Sequence, residues 1–107
     1  MTGKMIHRMT IQELKTADDG FSTQLVDVWH DVRHEMFSLQ PLRGDEYVAA
    51  QQTESSTTHT GVCHFFTGAT SEMRLQYGGR IFHVESVFNR FEKNHFLEWK
   101  LTEVAHA

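Results

Sequence analysis

The sequence predicts an all-β fold, a small antiparallel β-barrel with one short helix and a long flexible polar loop. Apolar and polar side chains alternate along most of the 107 residues, and this two-residue period is typical of a strand with one buried face. A Gly-Gly pair joins two of these alternating runs, as a hairpin turn would. With 39% apolar and 22% charged residues and no break in composition, residues 1–107 are expected to form a single domain. Closing such strands into a barrel removes exposed sheet edges.

The first two alternating stretches predict the first two strands. Residues 5–14 mix apolar and polar side chains, and the polar cluster at 16–20 is expected to end that strand. Residues 24–37 are rich in valine and meet no Gly or Pro before Pro41, which predicts one long strand.

A helix is the alternative for 24–37, because Val28, Val32 and Met36 also lie four residues apart. As a strand, this stretch carries large apolar residues on both faces, whereas a strand exposed on one side should be polar there. Trp29 is therefore predicted to contact a neighbouring subunit or the short helix, since tryptophan is favoured as an interface anchor.

The middle of the chain predicts the helix and the polar loop. Asp45 is a suitable N-cap for a short helix near 45–51. Residues 51–61 then contain no large apolar side chain and no Lys or Arg. A loop over 49–61 is much longer than the usual connection of about 4–6 residues, which suggests that it has a function.

The clearest local signal lies in residues 71–88. Gly78 and Gly79 predict a two-residue turn, because both central positions of a type I′ turn need positive φ. That turn sets a register in which Tyr77 faces Arg80, Leu75 faces Phe82, and Met73 faces Val84. The predicted core face consists of Met73, Leu75, Phe82, Val84 and Phe88.

Two further strands complete the predicted barrel. Residues 61–68 form a short apolar run between glycines. Residues 95–104 alternate, with Leu97, Trp99 and Leu101 expected to point inward.

No residue pattern in the sequence predicts catalysis, a cofactor or a metal site. His30 and His34 would lie roughly 13 Å apart on a strand, too far to share one ion. Cys63 and His64 are neighbours on a strand and point to opposite faces, so they cannot act as a nucleophile and its base. We expect a protein without enzymatic activity.

Charge and composition exclude several classes of protein. Ten basic and fourteen acidic residues give a net charge of −4, and no Lys or Arg occurs between Gly44 and Met73, which argues against a protein that grips a phosphate backbone. No apolar run approaches the roughly 20 residues that span a bilayer. The single cysteine, Cys63, excludes an internal disulfide and favours a reducing compartment.

Five motifs follow one another along the chain: "HRMTIQEL", "DGF…VDVWHDV", "LQPLRGDEYVAAQQ", "EMRLQYGGRIFHVESVFN" and "HFLEWKLTEV". Together they span about residues 6–104. This ordered set resembles the head–tail joining family of long-tailed bacteriophages, the head-closure or stopper proteins.

The resemblance implies a small β-barrel that is often monomeric when free and forms a homo-oligomeric ring, typically twelvefold, below the portal and its adaptor. Such a ring would close the DNA channel of the filled head, let double-stranded DNA pass without sequence-specific binding, and give tail proteins a docking surface. It also implies a virion protein of the head–tail connector that is assembled in the host cytoplasm. The family's channel loop, the candidate plug, matches Gln51, Gln52, Thr53, Glu54, Ser55, Ser56, Thr57, Thr58, His59 and Thr60.

We expect residues 51–60 to be mobile in the free protein and ordered only in the ring, because they bury too little apolar surface to offset their backbone entropy. Two other functions stay open from the sequence. One is a tail-terminator or tail-completion ring protein of the same machinery. The other is a small β-barrel module that binds a ligand or nucleic acid.

Overall fold

A computed structural model describes residues 4–18, 25–42 and 56–104. Its strands are β1 (His7–Asp18), β2 (Leu25–Pro41), β3 (His59–His64), β4 (Arg74–Tyr77), β5 (Arg80–Asn89) and β6 (Phe96–Val104), with a 3₁₀ turn at Arg90–Glu92. These strands form a closed antiparallel barrel in the order β1-β2-β3-β6-β5-β4. The predicted all-β barrel is confirmed, whereas the predicted helix at 45–51 lies outside the described residues.

The barrel interior is a single apolar core to which all six strands contribute. Trp99 of β6 is fully buried, with its ring edge-to-face against Phe37 at 5.7 Å between centres. Its indole N–H donates to Cys63 Sγ at 3.3 Å, which satisfies the one polar group of the side chain. The inward positions predicted for β6, Leu97, Trp99 and Leu101, are confirmed.

Strands β1 and β2 are longer than the barrel wall. They pair with each other along the whole of β1, whereas β1 pairs with β4 only at residues 10–12 and β2 pairs with β3 only at residues 38–41. Residues 13–18 and 25–31 therefore continue as a two-stranded ribbon, here called the arm. The strand predicted for 24–37 is confirmed over its helical alternative, and the cluster at 16–20 does not end β1 before Asp18.

The β4–β5 hairpin follows its predicted register, with Tyr77 opposite Arg80 and Leu75 opposite Phe82. Gly78 has a φ of 60°, whereas Gly79 does not have a positive φ. The predicted positive φ at both positions is therefore wrong, and the turn has the type II′ pattern, with positive φ only at its first central residue. Met73 precedes β4, so the predicted pair with Val84 is not part of the ladder, although both side chains are buried.

The predicted core position of Phe88 is wrong, because β5 contains a bulge. The register with β6 shifts between Val84 and Ser86, so that Glu85 is an extra residue in the strand. An extra residue reverses the inward–outward alternation beyond it. As a result Val87 packs against the core, whereas Phe88 is 45% exposed.

Strand β3 begins earlier and ends earlier than predicted. It starts at His59, so the loop predicted for 49–61 ends before that residue, and it ends at His64 instead of continuing to 68. Gly61 lies inside the strand, at a position where a Cβ would meet the Phe37 side chain at 3.2 Å and the Leu101 side chain at 3.3 Å. The glycine permits close packing across the barrel and does not form a turn.

Candidate functional site

The polar segment joins the barrel at residues 56–58, immediately before β3. The Thr58 N–H donates to the Leu101 carbonyl at 2.8 Å, and the Thr58 carbonyl accepts from the Leu42 N–H at 2.9 Å. The Thr58 hydroxyl in turn accepts from the Glu103 N–H at 2.8 Å. These bonds fix Thr58 between the end of β2 and β6, so the backbone leaves the barrel from a defined position.

Hydroxyl groups around this point converge on one carboxylate. Thr57 Oγ1 donates to Glu85 Oε2 at 2.8 Å, Thr102 Oγ1 donates to Glu85 Oε1 at 2.7 Å, and Ser56 Oγ donates to Glu85 Oε1. The carboxylate reaches them because it belongs to the extra residue of the β5 bulge. We call this group, Ser56, Thr57, Glu85 and Thr102, the Glu85 clasp. Hydrogen bonds to an ionised carboxylate are among the stronger ones in proteins.

An inward-facing ion pair lies next to the clasp, at the same end of the barrel. Arg80 donates through Nε and Nη2 to the two oxygens of Glu103 at 2.8 and 3.0 Å, the fork geometry of a bidentate pair. This hydrogen bonding raises the pKa of Arg80.

His59 completes this cluster, with its Nε2 3.9 Å from Glu103 and its ring edge-to-face against Phe82 at 5.2 Å. Burial lowers the pKa of His59, with Glu103 opposing the shift and Arg80 adding to it. His59 is therefore a neutral core-lining residue near pH 7 rather than a loop residue.

Trp29 lies on one face of the arm, in direct register with Leu14. The Arg74 guanidinium is 4.4 Å from the centre of the Trp29 ring, and Arg74 Nε donates to Gln12 Oε1 at 2.7 Å. Gln12 Nε2 donates to Asp31 Oδ1 at 2.8 Å, which ties this face to the barrel wall. Burial lowers the pKa of Arg74. Part of Trp29 is thus covered by its own chain, and the rest stays open to solvent.

The family model of the phage head completion protein matches residues 1–104 of this chain. The chain belongs to this family. No protein in the curated set matches it. The match agrees with the resemblance to head–tail joining and closure proteins that the five motifs carry. The protein is therefore a structural component of the phage virion that acts in closing the head and contacts other head and tail proteins.

In this head completion protein, the predicted plug residues divide into three groups. Residues 51–55 lie outside the described part of the chain. Residues 56–58 form the base just described, and His59 and Thr60 belong to β3. The expectation that all of 51–60 is mobile in the free protein is wrong for 56–60, because their backbone and side chains are hydrogen-bonded to the barrel.

The sequence did not indicate the partners of this base. Glu85 and Thr102 occupy ordinary outward positions in the alternating pattern of their strands, and the bulge that turns Glu85 toward Ser56 and Thr57 has no signal in the sequence. Arg80 and Glu103 are 23 residues apart, and no local pattern links them.

Neither a metal nor a thiolate site forms in the part of the chain that the structure describes. No group of three or more His, Cys, Asp or Glu side chains among residues 4–18, 25–42 and 56–104 could hold a metal ion. Burial raises the pKa of Cys63 to about 11, so the group is an unreactive thiol at neutral pH. Within the same residues, no helix is long and apolar enough to cross a membrane.

Proposed function

We propose that this protein forms a ring below the portal and its adaptor, closes the DNA channel of the filled head, and provides the docking surface for the tail. In this proposal residues 51–55 form the plug and residues 56–58 anchor it, whereas His59 and Thr60 of the predicted loop belong to β3. The observation that carries the proposal is the fixed base of the polar segment, where Thr58 is bonded to β6 and the Glu85 clasp holds Ser56 and Thr57. A defined exit point directs every copy of the segment the same way in a symmetric ring.

The chemistry of the segment supports a plug that DNA can pass. Ser, Thr and Gln side chains can hydrogen-bond to identical copies around an axis, as strands do when they add to one another. The sequence has no Lys or Arg between Gly44 and Met73, so no basic side chain in this stretch can hold the phosphate backbone of passing DNA. A twelvefold ring would carry 12 × −4 = −48 formal charges, which repels DNA from its surfaces.

Contacts between neighbouring copies in the proposed ring include Trp29. Its ring lies on an arm that pairs with no other strand among the described residues, and it is half-buried in the single chain. Tryptophan is enriched among residues that dominate binding energy at interfaces. A neighbouring copy would complete the burial that Arg74 begins.

DNA retention in tailless heads tests the plug. A variant that lacks residues 51–55 leaves the Glu85 clasp and β3 intact, and it should fold with near-native stability, because closure entropy changes slowly with loop length. We expect this variant to join the neck and the heads to lose their DNA. A control with the same five residues in a different order should retain it, since length and composition are kept.

Full DNA retention by heads carrying the shortened protein would show that the segment is not the plug. Recovery of the protein with free tails instead of heads would favour the tail-terminator role over head closure.

A further inference from the structure

Exposed large apolar side chains occur in two regions of the described residues. Four of them lie on β1 and β2, and two lie at the turn between β5 and β6. The first group is Leu14, Val28, Val32 and Met36, the second is Phe88 and Phe91, and Ile6 is the one such residue outside both. In the first group Leu14 shares a face of the arm with Trp29, whereas Val28 pairs with Lys15 on the other face and Met36 pairs with Arg8, six residues from Leu14. Clustered exposed apolar groups mark interaction surfaces, whereas scattered ones need no explanation.

The patch at the β5–β6 turn is a preformed groove. Phe88, Phe91 and Phe96 line a cavity of about 600 Å³ whose rim carries Arg90 and Lys93. Arg90 is paired with Glu98 at 2.7 Å, and the Lys93 ammonium lies 5.9 Å from the Phe91 ring centre. We call this surface the aromatic groove.

The turn holds Phe91 in solvent at a conformational cost. Phe91, Glu92 and Asn94 have φ values of 56°, 54° and 57°, in the left-handed region that non-glycine residues rarely adopt. Side-chain bonds across the turn fix it, with the Asn94 N–H donating to Asn89 Oδ1 at 3.0 Å. Phe91 is nevertheless 80% exposed, so its own burial does not offset the strain. Strained backbone of this kind clusters at binding sites.

The open face of the arm has the complementary chemistry. The Leu14–Trp29 pair lies between Asp31, which accepts from Gln12, and Asp27, which accepts from Thr16 at 2.9 Å. An apolar pair is thus flanked by a carboxylate on each side. We call this surface the arm face.

The two surfaces also differ in charge. The arm, residues 13–18 and 25–31, has one Lys and four Asp or Glu, a formal charge of 1 − 4 = −3, and the Arg74 guanidinium against the Trp29 ring brings this to −2. Residues 88–100 have three Lys or Arg and two Glu, a formal charge of 3 − 2 = +1. Apolar groups on both sides and opposite charge favour association of the two surfaces.

We propose that the arm face of one copy docks into the aromatic groove of the next copy, and that this contact links the subunits of the ring. The inference rests on the proposed ring. Leu14 and Trp29 enter the groove between Phe88 and Phe91, and Asp27 and Asp31 lie opposite its basic rim. Because the two surfaces are different parts of the same chain, the contact is heterologous and repeats from copy to copy, which closes a ring when the rotation fits. A second copy is the occupant that matches both patches at once.

Cysteine cross-linking tests the contact directly. Leu14→Cys and Phe91→Cys replace exposed side chains, and the native Cys63 is fully buried and unreactive. With a short bismaleimide, a mixture of the two single variants should give heterodimers, and the double variant should give a ladder beyond the dimer. Ile6→Cys, also exposed but outside both patches, is the matched control partner for Phe91→Cys and should give a severalfold lower yield.

The cross-linking is performed on the concentrated free protein and on tailless heads that contain it. Heterodimers or a ladder in either sample support the contact. Absence of Leu14–Phe91 cross-links from both samples, or equal yields with the Ile6→Cys control, would overturn it. Cross-links of Phe91→Cys only to a protein of different mass would overturn it as well, because the groove would then belong to another neck protein.

Charge-bearing variants provide a second test of the heterologous arrangement. Leu14→Asp and Phe91→Asp should each prevent ring assembly, whereas a mixture should form dimers and nothing larger, because only one intact contact per pair remains. Recovery of no dimer from the mixture would contradict the proposal. A ladder together with full DNA retention in heads lacking residues 51–55 would keep this contact and reject the plug, and the reverse pattern would reject the contact alone.

Discussion

Two phenylalanines of β5 test the register of the barrel. Phe82 has no exposed surface and contacts the His59 ring, whereas Phe88, beyond the Glu85 bulge, is 45% exposed. Phe82→Ala should lower the free energy of unfolding by about 3–5 kcal/mol, because it removes a buried ring and leaves a cavity. Phe88→Ala removes only about half of the free energy gained by burying a phenylalanine and leaves no cavity. It should therefore lower the free energy of unfolding by about 1 kcal/mol.

Urea unfolding followed by tryptophan fluorescence measures both values. With an m value of about 1–3 kcal/mol/M, Phe82→Ala should lower the midpoint by about 2 M and Phe88→Ala by about 0.5 M. If Phe82→Ala proves too unstable to purify, Phe82→Leu is the milder substitution. Equal midpoint shifts for the two positions, or a larger shift for Phe88, would refute the bulge and the reversed alternation that we derive from it.

Three further measurements check the packing and titration of the barrel. Gly61→Ala should lower the free energy of unfolding in urea by about 1–3 kcal/mol, because the new methyl group crowds Phe37. Gly79→Ala, at a position with nothing within 4 Å, should change it by less than about 0.5 kcal/mol. Equal effects of the two substitutions would contradict the close packing at Gly61. Because burial lowers the pKa of His59 below 6.5, the unfolded chain binds its proton more readily. The free energy of unfolding should therefore fall as the pH drops below about 6.5, and less so in His59→Gln; parallel curves for the two proteins would contradict the shift. Cys63, with a pKa raised to about 11, should react with thiol reagents at pH 8 only when the barrel unfolds, and rapid labelling of the native protein would contradict its burial.

The strands that the sequence predicted well are those with uninterrupted alternation. The Gly78-Gly79 turn fixed its own register, and β6 alternates inward and outward without a break. A bulge has no such signature, since one extra residue leaves the composition of the strand unchanged while it reverses every later side chain. The exposed Phe88 and the hydroxyl partners of Glu85 could therefore not be assigned from the pattern.

The predicted end of the polar segment was wrong for a different reason. Hydropathy assigns His59 and Thr60 to a loop, because a strand interior is expected to be apolar. At this end of the barrel the interior is lined instead by the Arg80–Glu103 pair, and a histidine there has polar and aromatic neighbours. Such pairing depends on residues far apart in the chain, which local patterns do not contain.

Closing the channel and linking the subunits use different parts of the barrel in our proposals. The base of the polar segment is bonded to Glu85, in the middle of β5, whereas Phe91 of the aromatic groove lies beyond the end of that strand. The four residues of strand from Glu85 to Asn89 alone span about 13 Å. Substitutions more than about 10 Å apart with no shared partners usually act independently. Phe91 variants should therefore impair assembly without loosening the Glu85 clasp, and a protein that assembles normally but leaks DNA should carry its defect at the clasp.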